Sequence, residues 1–237
     1  MAAIEEDHWW FVARRHILQD AIRRIAPLTD GAGVLEAGCG TGGNLAMLED
    51  FGRVSAFEPD AGARELARRK SGVQVSEGRL PTDVPFEGES FDLVVALDVL
   101  EHIDDDLAGL RALRDRLRPG GWMVITVPAF SFLWSHHDVV HHHKRRYRKK
   151  ELTRLARQTG LSLVTATYFN TLLFPVIAAV RFVKNLLRRE SADDAILPLR
   201  LVNVILAAVF ASERHLVGRV SLPLGVSILM VARRSDS

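Results

Sequence analysis

The chain has 237 residues, a formal net charge of +2 and 48% hydrophobic residues, enough for one α/β domain with a sizeable core. So small a net charge excludes a nucleic-acid binder that works through whole-chain electrostatics, although the basic residues are clustered. A single cysteine excludes an internal disulfide framework and predicts a reducing, cytoplasmic compartment.

Glu5, Glu6 and Asp7, followed by Trp9-Trp10, read as neither a basic leader nor a signal peptide. Residues 8 to 26 predict a helix, apolar at Trp10, Phe11, Ile17, Leu18, Ile22 and Ile25 and interrupted by Arg14 and Arg15. The next stretch, Val34-Leu35-Glu36-Ala37-Gly38-Cys39-Gly40-Thr41-Gly42-Gly43-Asn44, organises the chain. Gly33 to Ala37 predicts a buried strand, the glycines a tight loop, and Leu45-Ala46-Met47-Leu48 a helix. Strand, glycine loop and helix open a nucleotide-type βαβ unit, whose backbone must turn tightly and admit a ligand.

The spacing Gly38-x-Gly40-x-x-Gly43 fits NAD enzymes as well as others. Glu36 discriminates between them. A carboxylate beside the loop repels a pyrophosphate and attracts a ligand with a cationic end. S-adenosylmethionine fits, having an ammonium, a sulfonium and no phosphate. Glu58 ends the apolar run Val54-Ser55-Ala56-Phe57 and falls where a ribose hydroxyl pair is held. Cys39 reads as a small packing residue rather than a nucleophile.

Asp60 predicts the cap of a helix from Ala61 to Lys70, ended by Ser71-Gly72. Val73-Gln74-Val75 alternates like a third strand, and Phe91 to Leu97 is apolar enough for a fourth with both faces covered. Ligands bind at the carboxyl ends of such strands, so Leu97 and Asp98 are predicted to border the cofactor. His102 reads either as a general base toward a substrate hydroxyl or as a turn-shaping histidine. Asp98, Glu101 and His102 have i, i+3, i+4 spacing, and on a helical turn they could hold a divalent ion. Asp104-Asp105-Asp106 begins a helix with Leu107, Leu110, Leu113 and Leu117 on one face, and Pro119-Gly120-Gly121 turns into a strand from Trp122 to Val127.

The stretch from Ser135 to Lys150 holds His136, His137, His141, His142 and His143 among many Lys and Arg residues, with no recognisable zinc spacing. A helix from Glu151 to Gln158 ends at Gly160, and Leu161 to Phe169 reads as the sixth strand. Asn170 to Pro223 then intervene before the last strand, Val226 to Ala232. Within them, Leu172 to Arg189 predicts a helix with a polar stripe at Arg181, Lys184, Asn185, Arg188 and Arg189. Leu199 to Leu216 predicts a second, with a thin polar line at Arg200, Asn203 and Arg214. Apolar bulk beside a basic stripe suits an anionic membrane surface; a homodimer face or a lid over an apolar pocket is the rival reading. No apolar run reaches the length of a membrane span.

The segments VLEAGCGTGGN, AFEPD, FDLVVALDVLEHI and LRPGGWMVITVP, in that order, resemble the motifs of class I S-adenosylmethionine-dependent methyltransferases. ALDVLEHI is similar to the ubiquinone-biosynthesis-type small-molecule methyltransferases. The resemblance covers residues 9 to 170 and returns at the last strand. It implies an α/β, Rossmann-like seven-stranded sheet with an antiparallel last strand, helices on both faces and a helical insertion before that strand. One domain is implied, with an N-terminal cap helix (1–30), a cofactor-binding core (31–170), the insertion (171–223), and the last strand and tail (224–237).

The implied cofactor is S-adenosyl-L-methionine. Its binding set is Arg14 or Arg15 on the methionine carboxylate, Glu36, the loop Gly38, Cys39, Gly40, Thr41 and Gly42, then Glu58, Pro59, Arg79, Leu80, Leu97 and Asp98, with Glu77 as a further candidate near adenine. Asp138 five residues before His143, followed by Arg145, Arg146 and Tyr147, matches a loop that relatives carry over the active site. Asp138, Arg145 and Arg146 are therefore substrate-binding candidates for an anionic acceptor, and His143, Tyr147 and His102 are rival acid/base groups. Some ubiquinone-type relatives resemble a metal site at ALDVLEHI; Asp98 replaces a longer Glu there, and no metal is assigned. The expected reaction is in-line methyl transfer to an oxygen, or else a nitrogen or carbon, of a small-molecule or lipid-like acceptor. A non-catalytic module at a membrane and an NAD-dependent oxidoreductase are the alternatives, the second disfavoured by Glu36. The expected location is cytoplasmic, or peripheral to the inner face of a membrane.

Overall fold

The computed structural model describes residues 4–186 and 198–236. The apolar runs form seven strands: β1 (Gly33–Ala37), β2 (Arg53–Glu58), β3 (Val75–Glu77), β4 (Phe91–Leu97), β5 (Leu117–Pro128), β6 (Leu161–Phe169) and β7 (Ser227–Arg234). They make one sheet in the order β3-β2-β1-β4-β5-β7-β6. β7 runs antiparallel to β5 and β6, and the remaining pairs are parallel. This is the Rossmann-like topology expected from the sequence.

Eight helices accompany the sheet among the described residues: α1 (Trp9–Ile25), α2 (Leu45–Glu49), α3 (Ala61–Ser71), α4 (Asp106–Asp115), α5 (His136–Val140), α6 (Lys149–Gln158), α7 (Phe174–Leu186) and α8 (Arg200–Ala211). Successive strand residues point to opposite faces, and both faces are covered. Leu35, Val94, Ala96, Met123, Ile125 and Met230 pack with Leu110 and Leu113 of α4 and Leu152 and Ala156 of α6. Val34, Leu93, Val95, Val124, Leu229 and Val231 pack with Ala13, Ile17, Leu18, Ala21 and Ile22 of α1 and Phe210 of α8.

Local chemistry sets the helix ends. Asp60 caps α3 by accepting from the Ala63 amide at 2.8 Å, and Gly72 ends that helix at φ 72°. Asp105, the middle of the three acids, caps α4 by accepting from Ala108 N at 2.9 Å. β3 lies two residues later than the predicted strand, because it pairs with the end of β2, Ala56 to Glu58, while Val73 packs with Ala67 of α3.

The insertion is helical, with corrections. α8 stops at Ala211 and a 3-10 turn, Ser212–His215, follows, so no single helix reaches Leu216. The break lets the buried Glu213 carboxylate accept from Leu172 N at 2.7 Å. Asn203 lies on no solvent stripe: its side chain accepts from Trp9 N at 2.9 Å and donates to Asp7 O at 2.8 Å, which ties α8 to the start of α1. Of the predicted basic stripe on α7, Arg188 and Arg189 lie outside the described residues. No described helix is long and apolar enough to cross a membrane.

Register then gathers the functional ends. Ala37, at the end of β1, pairs with Phe57 on β2, and Leu97 pairs with Thr126. Ser227 pairs with both Pro128 and Phe169. The ends of β1, β2, β4, β5 and β6 therefore share one edge.

Candidate cofactor and acceptor site

The glycine loop folds back onto that edge. The amides of Gly38 and Cys39 donate to Phe57 O at 2.9 and 3.2 Å. Glu58 accepts from Gly40 N at 2.9 Å and from Asp60 N at 3.0 Å, so its carboxylate joins the loop to the start of α3. Gly40 has φ 54°, and a Cβ added there would meet nothing within 4 Å, so the crest of the loop is open. Gly42 does the opposite: a Cβ there would stand 2.9 Å from the Ala67 backbone, and the bare backbone lets α3 pack against the loop. Cys39 is buried and burial pushes its thiol up, which suits packing and not nucleophilic attack.

Glu36 projects from β1 toward the α1 side and is 1% exposed. One oxygen accepts from Asn44 Nδ2 at 3.0 Å, and the other has no hydrogen-bond partner. Burial pushes its pKa up to about 7, against the Asn44 hydrogen bond and the Arg14 charge. A buried carboxylate with one bare oxygen beneath an open loop fits the cationic end of S-adenosylmethionine.

The two arginines of α1 part ways. Arg14 is buried, ion-paired with Asp98 at 2.7 Å, hydrogen-bonded to Thr126 Oγ1 at 2.6 Å and stacked 4.9 Å from the Trp10 ring. Arg15 turns away from it, donating to Glu5 O at 2.9 Å and to Gly43 O of the glycine loop at 3.4 Å. Glu5, invisible as a site residue in the sequence, accepts from the Thr41 hydroxyl at 2.9 Å and pairs with Lys70. The N-terminal segment thus straps the glycine loop. Leu97 is buried beside Asp98. Leu80 is buried with Phe57 and Leu100, whereas the Arg79 backbone bridges to Asp83 and its side chain is exposed. Pro59 O accepts from Arg64 at 2.7 Å, and the exposed Glu77 pairs with Arg64 at 3.0 Å.

The acceptor side differs from the sequence expectation in three respects. Asp98 has φ 59° and Leu100–His102 is a 3-10 turn, so Asp98, Glu101 and His102 do not share a helical face. Asp98 goes to Arg14, and the trio brought within 4.8 Å is Glu101, His102 and His143. These three could hold a divalent ion. Glu101 is fully buried with both oxygens unpartnered; burial, then the Asp98 charge, holds its pKa well above the usual carboxylate range.

Arg145 and Arg146 do not form a clamp. Arg146 is buried and grips Asp138 through two hydrogen bonds of 2.8 and 2.9 Å, while Arg145 reaches Asp106 at 2.9 Å and Asp104 O at 2.7 Å. Asp138, itself fully buried, also accepts from Ser135 N at 2.8 Å, so it and Arg146 are engaged with each other and with protein groups. Tyr147 is likewise withdrawn: its hydroxyl lies 2.9 Å from Asp106 and 3.2 Å from Leu100 O, and burial pushes its pKa far up.

His143 is what this pairing positions. Its Nδ1 lies 2.9 Å from Asp138, its ring stands edge-on to His102 at 4.7 Å, and the loop is docked by Lys144 N donating to Glu101 O at 2.8 Å. A carboxylate on Nδ1 sets the tautomer that leaves Nε2 able to accept a proton. Burial and the neighbouring His143 push His102 down to about 4, which keeps it neutral and weakly basic.

Burial alone would raise the Asp138 pKa, but the bonds from His143 and Arg146 outweigh it and hold the carboxyl well below its ordinary range. A carboxyl lowered by folding stabilises above its unfolded pKa, and that contribution fades as pH falls through the folded value. Asp138→Asn should therefore lose about 3–5 kcal/mol at neutral pH in denaturant unfolding, because Arg146 is left as a buried charge. The gap should narrow on acidification.

An aromatic wall, unread in the sequence, borders the same edge. Phe130, at φ 54°, stacks on Tyr168 at 4.9 Å and on Phe132 at 5.2 Å, with Phe174 at 6.0 Å. Two aromatics spaced by one residue just past β5 were the available signal.

Comparison with known proteins decides the family. A family profile described as a methyltransferase domain matches residues 11–166. The chain belongs to the methyltransferase domain family. A Methylocella silvestris ubiquinone biosynthesis O-methyltransferase is 37% identical over 121 residues, covering 46% of this chain and 47% of that protein. A Mycolicibacterium smegmatis protein named as a probable S-adenosylmethionine-dependent methyltransferase is 31% identical over 127 residues, covering 53% and 48%. This methyltransferase-family chain therefore spans about half the length of these curated relatives. A solved geranyl diphosphate C-methyltransferase from Streptomyces coelicolor, in complex with Mg2+, geranyl diphosphate and S-adenosyl-L-homocysteine, superposes with a TM-score of 0.63 at 15% identity, covering 92% of this chain and 78% of that one. At that identity the likeness speaks for the fold alone.

Proposed function

We propose that this chain, as a single domain, transfers the methyl group of S-adenosylmethionine to a hydroxyl oxygen of an apolar, lipid-like small molecule. The observation that carries the reading is Glu36, a buried carboxylate with one unpartnered oxygen beneath the open crest of the glycine loop. S-adenosylmethionine supplies an electrophilic methyl on a positively charged sulfur. Glu36 and the loop Gly38 to Gly42 hold the cationic amino-acid end, Arg14 answers its carboxylate, and Glu58 with Pro59 receives the ribose. Leu80, the Arg79 backbone, Leu97 and Asp98 border the remainder.

On the acceptor side, His143, aligned by Asp138, takes the hydroxyl proton. Phe130, Phe132 and Phe174 exclude water from an apolar body. Holding the oxygen in line with the methyl can supply roughly 7–11 kcal/mol of the barrier. The sequence likeness to an O-methyltransferase agrees with oxygen as the nucleophile.

Calorimetry with S-adenosylmethionine, its demethylated product and NAD tests the cofactor. Heat with the first two and none with NAD is expected; heat with NAD alone would turn the reading toward an oxidoreductase. Release of the demethylated product in the presence of alkylated phenols tests the transfer. Cofactor binding with no product from any acceptor would favour a non-catalytic module.

A further inference from the structure

The insertion helices carry apolar faces that none of the described residues covers. α8 packs inward through Leu206 and Phe210, with Asn203 bonded to the start of α1. At 100° per residue, Leu201, Val204, Ile205 and Ala208 share the opposite face. Leu201 is 72% exposed, and no charged or hydrogen-bonding side chain stands on that face between Arg200 and Ser212. On α7, Val176, Ala179, Val180 and Val183 repeat the pattern at i, i+3, i+4 and i+7, with Phe182 exposed beside them. Scattered exposed apolar residues are ordinary; two helices with apolar outer stripes are not.

We infer that α7 and α8 dock the protein on the surface of an anionic lipid bilayer, with their outer stripes in the acyl boundary. Three observations favour lipid over a second copy of the chain. Protein interfaces carry about one hydrogen bond per 100–200 Å², and these stripes offer no polar side chain for one, whereas hydrocarbon asks for none. Cationic residues stand near both ends of the α8 stripe: Arg200 is exposed where α8 begins and Arg219 is exposed beyond its end, as headgroup phosphates require. The helix that carries the α7 stripe also starts at the acceptor wall, with Phe174 on its inner side. Phe174 opens α7 and contacts Phe130 and the exposed Phe132. A bilayer there would feed an apolar acceptor to the wall directly. This last argument rests on the proposed reading of the acceptor as apolar; the first two do not.

Flotation of the full chain with vesicles of phosphatidylcholine and phosphatidylglycerol in equal parts tests the inference. The wild type is expected to rise with them, and less with phosphatidylcholine alone. Leu201→Asp/Ile205→Asp, and separately Val180→Asp on the other helix, should lower the bound fraction at least about tenfold. Circular dichroism and the unfolding temperature should match the wild type in both variants. A wild type that stays with the pellet, or variants that float equally well, would overturn the inference. So would a stable dimer by sedimentation that these variants dissociate, which would assign the face to a second copy. Flotation as expected with no heat from S-adenosylmethionine would sink the activity reading and leave the docking surface standing.

Discussion

Replacing Glu36 with Gln should weaken S-adenosylmethionine binding roughly 10- to 100-fold, the worth of a hydrogen bond to a charged group in a dry site. The substitution keeps the side chain's size and the carbonyl that Asn44 can reach, and removes only the charge. The pH profile is the sharper test. With its pKa pushed up to about 7, Glu36 is partly protonated at neutral pH in the free protein. A cationic ligand favours the ionised form, so binding releases a proton, and affinity should climb toward a plateau above about pH 8. Glu36→Gln should flatten that profile.

The stability of the free protein should move the opposite way. Folding raises this carboxyl from 4.5 to about 7, so its contribution is complete below the unfolded value and is lost as pH rises through the folded one. The difference amounts to about 3 kcal/mol. Glu36→Gln without ligand should thus unfold later than the wild type at about pH 8, and calorimetry in two buffers should show its proton release gone. Equal affinity and equal pH slope in the two proteins would remove the basis for reading the loop as a cation site.

His143→Ala should cost about 10²–10⁴-fold in kcat, the usual contribution of a positioned base, with cofactor affinity unchanged. His102→Ala should cost less than about tenfold, since burial and His143 hold its pKa near 4 and it is a poor proton acceptor at neutrality. The reverse ranking, read from the rate of demethylated-product release, would move the base to His102. Asp138→Asn should lower kcat by a smaller factor than His143→Ala, because the imidazole remains while its orientation is lost.

The fold was legible in the sequence because its signals are local. Gly33 to Ala37, Phe91 to Leu97 and Leu161 to Phe169 are largely apolar runs followed by a glycine, an acid and an amide in turn, and each is a strand with those limits. Asp60 and Gly72 bound α3 through their own backbone chemistry. The same locality let Glu36, Glu58 and the glycine loop be placed together from sequence, since all three sit in or next to one βαβ unit.

What the linear chain could not decide was which of several like residues meets which partner across long separations. Arg14 and Arg15 are neighbours in sequence, yet only the helical turn and the depth of α1 send one to Asp98 and the other to the backbone carbonyls of Glu5 and Gly43. Arg145 and Arg146 looked like a pair for an anion; the fold buries Arg146 on Asp138 and pairs Arg145 with Asp106. Glu101 looked like one member of a helical trio with Asp98, until the positive φ of Asp98 and the 3-10 turn sent Asp98 away and brought His143 in from another loop. Sequence pattern determines periodicity, caps and the glycine turn, because those depend on a few adjacent dihedrals. Only the tertiary structure decides which buried charges are paired, because pairing depends on distance and desolvation, which adjacent dihedrals do not encode.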